Sequence, residues 1–214
     1  MKNAIIFDMD GTLFQTNLIL EPALTSTFDV LRAKGLWQED TPIEKYREIM
    51  GVPLPVVWET LCPEHSLEVR EDSNTIFHAK LIEQIQQGRG ALYPNTEQTL
   101  TTLAETYNLY IASNGQIEYL QAIVETYQLT RFFKNIYSIQ SISSGHKSDL
   151  VRTVIEENNI QHGAVVGDRV SDIQAAQDNH LLSIGVRFDF AQESELQEAD
   201  VVIDDLKELL TVLN

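Results

Sequence analysis

Ala4-Ile5-Ile6-Phe7-Asp8-Met9-Asp10-Gly11-Thr12 is a run of four apolar residues that ends abruptly in two carboxylates and a glycine. A short apolar run bounded by turn formers reads as a strand covered on both faces, the kind that parallel sheets contain. The two aspartates then project where the chain turns off that strand, close to a glycine that tolerates a tight turn.

Similar runs recur down the chain. Leu109–Ala112, Ala164–Gly167, Leu182–Val186 and Val201–Ile203 are each apolar or β-rich, and most precede polar residues that can open a helix. Between them, Gln116–Tyr127 and Ser148–Asn158 carry apolar residues at helical spacing, and a further helix is expected from about Asn95 to Tyr107. This alternation predicts an α/β fold, a Rossmann-like, doubly wound and mainly parallel sheet. One stretch breaks it. Residues 15–90 show no strand pattern and read as helices punctuated by Gly35, Pro42, Gly51, Pro53, Pro55 and Pro63. The expected organisation is therefore a core of residues 1–14 and 91–214 with an inserted α-helical cap domain at 15–90. Gly88, Gly90 and Pro94 would form the return hinge, and such an insert can open and close over a site or stand as a rigid subdomain.

Composition narrows the function. The 214 residues, 43% hydrophobic, suffice for a core plus a smaller domain. With 15 basic against 32 acidic side chains the net charge is −17, which argues against a nucleic-acid partner, since phosphate backbones are gripped by clustered Lys and Arg. The single cysteine, Cys62, excludes an internal disulfide and reads as packing, so the expected location is cytoplasmic. The apolar run near Met1 is too short for a signal segment or a membrane span, and no membrane partner is expected.

The chemistry gathers at strand ends. Of the Asp8 and Asp10 pair, one can attack phosphorus while the other protonates the leaving oxygen and later takes a proton from water; alone, such a pair can also cap a turn. A carboxylate attacking an anionic ester needs compensating positive charge, and a divalent cation, Mg2+, is the obvious source. Gly167-Asp168-Arg169-Val170-Ser171-Asp172 offers two more carboxylates; on a helix both would share a face, and they could equally serve the helix dipole. Ser113 and Asn114, at the end of another strand, are candidates to hold phosphate oxygens, with an ordinary N-cap as the alternative for Ser113. Lys147, just ahead of a helix, can place an ammonium against both the phosphate and Asp8, though a lone lysine there can also simply be solvated.

The ordered set Asp8-x-Asp10-Gly11-Thr12, Ser113, Lys147 and Gly167-Asp168-x3-Asp172 resembles the four motifs of the haloacid dehalogenase-like (HAD) hydrolase superfamily, over the core residues. The helical insert resembles that family's cap, in the subgroup that contains phosphoglycolate phosphatase and beta-phosphoglucomutase. The resemblance implies Asp8 as nucleophile and metal ligand, and Asp10 as acid/base that also lends a main-chain carbonyl to magnesium. It implies Asp168 as the further ligand, Asp172 as support for the metal shell or partner of Lys147, and Thr12 and Ser113 as phosphoryl-binding groups. Asp10 disfavours the dehalogenase and phosphonoacetaldehyde hydrolase branches, which lack that residue. Ser148 stands where many relatives have proline, a small departure.

Three readings follow. The first is a magnesium-dependent phosphatase acting on a small phosphorylated metabolite through an aspartyl phosphate; the second is a phosphomutase; the third is a phosphate-binding module with a vestigial site. Arg47 is a candidate anion contact or a solvated helix residue, His65 and His78 lack metal-ligand spacing, and Trp37, Trp58 and Phe77 read as core of the insert. A monomer is the default expectation.

Overall fold

The computed structural model describes residues 3–49 and 54–213, so Gly51 and Pro53 lie outside the described residues. The first half of the chain forms β1 (Ala4–Phe7), α1 (Asn17–Ala33), α2 (Ile43–Glu48), α3 (Leu54–Leu61), α4 (Leu67–Gln86) and α5 (Thr96–Thr106). The second half alternates: β2 (Asn108–Ser113), α6 (Ile117–Thr126), β3 (Phe133–Ser138), α7 (Lys147–Asn158), β4 (Gly163–Gly167), α8 (Val170–Asp178), β5 (Leu182–Val186), α9 (Glu193–Leu196), β6 (Val201–Ile203) and α10 (Leu209–Val212). Two compact units result, residues 1–16 with 90–214, and residues 17–89.

The larger unit is built on a six-stranded sheet in the order β3-β2-β1-β4-β5-β6, with every neighbouring pair parallel. The chain winds one way from β1 through β2 to β3, then returns to β4 on the other side. This is the doubly wound arrangement, whose switch point between β1 and β4 opens a crevice at the carboxyl ends of the strands. Register makes that crevice specific: Phe7 pairs with Ile111 on one side and Val166 on the other, which brings Asp8 level with the ends of β2 and β4.

Burial explains why these short strands hold. Ala4 and Ile6 share one face with Tyr110, Ala112 and Val165, packed on Leu150, Val151 and Val154 of α7 and Ala175 and Ala176 of α8. Ile5, Phe7, Leu109 and Ile111 alternate to the opposite face and are also fully buried. Each such large side chain contributes about 1.5–3 kcal/mol.

The sequence pattern does not mark β3. Its residues, Phe133-Lys134-Asn135-Ile136-Tyr137-Ser138, leave Lys134 and Asn135 exposed and pair on one side only, with β2. An edge strand needs apolar residues only where it meets the core, so the signal is diluted.

In the helical unit α1 and α3 pack on α4. Phe28, Trp58 and Phe77 are fully buried, and the Trp58 and Phe77 rings meet edge to face with centroids 5.8 Å apart. Trp37 departs from the expected core position: it is half-buried, with its edge set against Phe28 and its Nε1 donating to Asp40 O at 3.2 Å. Cys62 is buried, and burial pushes its thiol up to about 11. Among the described residues no helix is long and apolar enough to cross a membrane.

Candidate active site

Beyond Phe7 the ladder to β4 continues for one bond, Asp8 N donating to Val166 O at 2.9 Å, and then the chain curls. Met9 O accepts from Leu13 N and Phe14 N, both at 3.0 Å, closing residues 9–14 into a compact turn. Gly11 is required there twice over. Its φ is +71°, and an added Cβ would lie 2.5 Å from Asp168 Oδ2.

Asp8 is buried and meets Lys147, the first residue of α7. An ammonium at a helix N-terminus opposes the helix dipole, and one only 6% exposed forfeits hydration as well. Two carboxylates compensate: Lys147 Nζ pairs with Asp8 Oδ1 and Asp172 Oδ1. Burial alone would lower the Lys147 pKa, but the charges of Asp172 and then Asp8 outweigh it and hold the group charged. Asp172 has a second task, since its Oδ2 accepts from Arg169 N at 3.1 Å and caps α8. An added Cβ at Gly167 would fall 2.1 Å from Asp172 Cγ, so the tight strand end is shaped around this carboxylate.

Asp168 does not share a helix face with Asp172, as the four-residue spacing suggests; it sits in the loop between β4 and α8. There Thr12 Oγ1 donates to its Oδ1 at 3.2 Å, while Oδ2 is buried without a hydrogen-bond partner. A buried carboxylate oxygen left unpaired is costly. Carboxylate oxygens of Asp8, Asp168 and Asp172 all lie within 4.8 Å of one another. Burial pushes Asp8 up to about 7 against the pull of Lys147, with Asp172 and Asp10 adding to the rise. Burial and the Asp8 charge likewise hold Asp168 well above the usual carboxylate range. Hard oxygen donors crowded this closely, one of them orphaned, form the donor set that a divalent cation takes.

Asp10 lies on the same turn, half-buried, and its Oδ1 accepts from both Thr16 Oγ1 and Tyr119 Oη. Burial raises its pKa, and those two donors moderate the rise. Ser113 ends β2, buried, with its Oγ accepting from Gly115 N at 3.2 Å; it is not the N-cap of α6, which is Gln116. Asn114 follows it and is exposed.

A model of the family described as haloacid dehalogenase-like hydrolase matches residues 5–186. The chain belongs to that family. A phosphoglycolate phosphatase of Agrobacterium fabrum is 27% identical to it, the match covering 97% of this chain and 91% of the relative. A 5'-nucleotidase of Pseudomonas aeruginosa is 24% identical over 90% of this chain and 86% of its own. Among solved structures, a predicted phosphoglycolate phosphatase from Haemophilus somnus superposes with a TM-score of 0.84 at 21% identity, covering 100% of this chain and 98% of that one, and so shares the fold.

As a haloacid dehalogenase-like hydrolase the chain is an enzyme, and its fold brings Asp8, Asp10, Thr12, Lys147, Asp168 and Asp172 into one crevice, with Ser113 at the adjoining strand end. Three contributors escape a linear reading: Thr16 and Tyr119, which meet Asp10, and Glu195, whose carboxylate takes Arg169 Nε and Val170 N, both at 2.9 Å, and braces the Asp168 loop. Tyr119 and Glu195 lie far from their partners in the chain and carry no local signal. Arg47 is exposed and pairs with Glu21 and Glu44 inside the helical unit. His65 Nε2 lies 2.7 Å from Leu36 O, in the same unit.

Proposed function

We propose that the protein is a magnesium-dependent phosphatase that hydrolyses a small phosphorylated metabolite through an aspartyl phosphate on Asp8. The observation that carries this reading is the Lys147 ammonium buried between Asp8 and Asp172, beside the unpaired Asp168 Oδ2. A structural ion pair needs one carboxylate for one ammonium. Here three carboxylates crowd one ammonium, an arrangement that suits a site where a cation and an anionic ester are both to be bound.

Magnesium, held by Asp8, Asp168 and the Asp10 main-chain carbonyl, supplies positive charge that offsets the ester's own. The remaining work falls to side chains. Lys147 steadies the Asp8 carboxylate and faces the phosphoryl oxygens, which Ser113 and the backbone amides near Asn114 also receive. Asp8 attacks phosphorus and Asp10 protonates the departing oxygen; water then attacks the aspartyl phosphate, giving its proton to Asp10 and releasing inorganic phosphate. Thr12, whose hydroxyl serves Asp168, orients that carboxylate. Choice among substrates is assigned to the helical unit, residues 17–89.

The relatives named as phosphoglycolate phosphatase and 5'-nucleotidase support a small phosphate ester as substrate class. The test is phosphate release from a panel of sugar, acid and nucleoside monophosphates with and without magnesium, repeated with Asp8→Asn. Magnesium-dependent release that vanishes in the variant is expected. Turnover of the wild-type order in Asp8→Asn refutes the assignment, and isomer formed in excess of phosphate would move it to a phosphomutase.

A further inference from the structure

Tyr119 is 4% exposed, in the first turn of α6, and its hydroxyl donates to Asp10 Oδ1. Its ring is pinned from below: a Cβ added at Gly115 would lie 3.1 Å from Tyr119 Cδ1, so the glycine after Ser113-Asn114 leaves just the room the ring needs. A buried tyrosine hydroxyl needs a partner, and a backbone carbonyl would do. This one instead reaches across the sheet from α6 to the turn after β1.

The consequence lies in which oxygen it meets. Thr16 Oγ1 donates to the same Asp10 Oδ1, so both hydroxyls converge on one oxygen, while among the described residues no hydrogen bond falls on Oδ2. When a carboxyl is protonated, its hydrogen belongs on the oxygen that is not already receiving hydrogen bonds. We infer that Tyr119 is a positioning residue for the acid/base step: by occupying Asp10 Oδ1 together with Thr16, it assigns the transferable proton to Oδ2 and aims that oxygen at the ester. This rests on the phosphatase reading above and adds a residue to it. In the first half-reaction an Asp8 oxygen bonds to phosphorus, the ester P–O bond breaks, and the Oδ2 proton passes to the departing oxygen, leaving an alcohol and a carboxylate. In the second, water bonds to phosphorus, its proton returns to Oδ2, and the Asp8–phosphorus bond breaks to free phosphate.

The experiment compares p-nitrophenyl phosphate with benzyl phosphate, two ring-bearing esters whose leaving groups differ in their need for a proton. Single-turnover release of the phenol or alcohol in the full chain with magnesium reads the first half-reaction alone. Tyr119→Phe keeps the ring and removes only the hydroxyl. It should slow benzyl alcohol release by about tenfold, or about 1.4 kcal/mol, and so raise the p-nitrophenyl to benzyl rate ratio by about fivefold or more. Placed on an Asp10→Asn background, the same substitution should cost less than about twofold more, because the group it aims is gone. An unchanged ratio, or losses that simply multiply in the double variant, would overturn the inference even if both proteins fold normally. Should Tyr119→Phe fail to fold, Thr16→Val, which removes the other donor to Oδ1, must raise the same ratio, and an unaltered ratio there overturns it too. If the wild-type chain releases neither product, nor phosphate from any ester of the metabolite panel, the phosphatase reading itself falls and takes this inference with it.

Discussion

Asp8→Asn should stabilise the metal-free protein, and the size of the gain can be worked from the site. Asp8 is 6% exposed, and burial raises its carboxyl from 3.8 to about 7 in spite of Lys147. A group whose folded pKa lies above its unfolded value costs nothing below the unfolded pKa; the cost grows as pH rises and levels off above the folded pKa. Between 3.8 and about 7, that amounts to about 4 kcal/mol at pH 8 and about 2 kcal/mol at pH 5. An amide of the same shape carries no such charge, so the variant's advantage should be larger at pH 8 by about 2 kcal/mol. Urea unfolding in a chelator at the two pH values measures it. Circular dichroism is the probe of choice, because both tryptophans, Trp37 and Trp58, belong to the helical unit. A variant less stable than wild type at pH 8, or a gain that does not shrink at pH 5, would refute the idea that burial of the Asp8 charge is a standing cost of this site. Added magnesium should narrow the gap by binding the wild-type protein more tightly.

The neighbouring positions give further expectations. Gly11→Ala forces a side chain to φ +71° and a Cβ against Asp168, so it should cost about 1–2 kcal/mol and weaken magnesium binding about tenfold, read by thermal melting and titration calorimetry. Lys147→Met leaves Asp8 and Asp172 buried without their cation and should cost about 3–5 kcal/mol near neutral pH; an undiminished unfolding midpoint would contradict the pairing. Glu195→Ala removes the brace on Arg169 and Val170 and should cost about 1.5–3 kcal/mol at pH 7. The Arg169 hydrogen bond holds the Glu195 carboxyl below 4.5, so its stabilisation is present above that value and fades as pH falls through the folded pKa; the wild-type advantage in urea unfolding should shrink there.

Much of this molecule can be read along the chain because its information is local. Ala4–Phe7 and Ala164–Gly167 are apolar enough to declare buried strands, and the aspartates that follow them stand at strand ends wherever those strands pair. The family, the sheet type and the helical insert follow from such runs and their order. Other features depend on the packed molecule. The edge strand Phe133–Ser138 hides behind Lys134 and Asn135, whose polarity is tolerated because only one neighbour pairs with it. Asp168 stays off α8 because Arg169 serves as the N-cap residue, and Thr12 turns its hydroxyl to Asp168. Tyr119 reaches Asp10 across more than a hundred residues of chain, an approach set by β1 and β2 lying side by side. Residue type and spacing constrain backbone conformation over a few positions; which oxygen meets which hydroxyl is settled only when register and rotamers are locked by close packing.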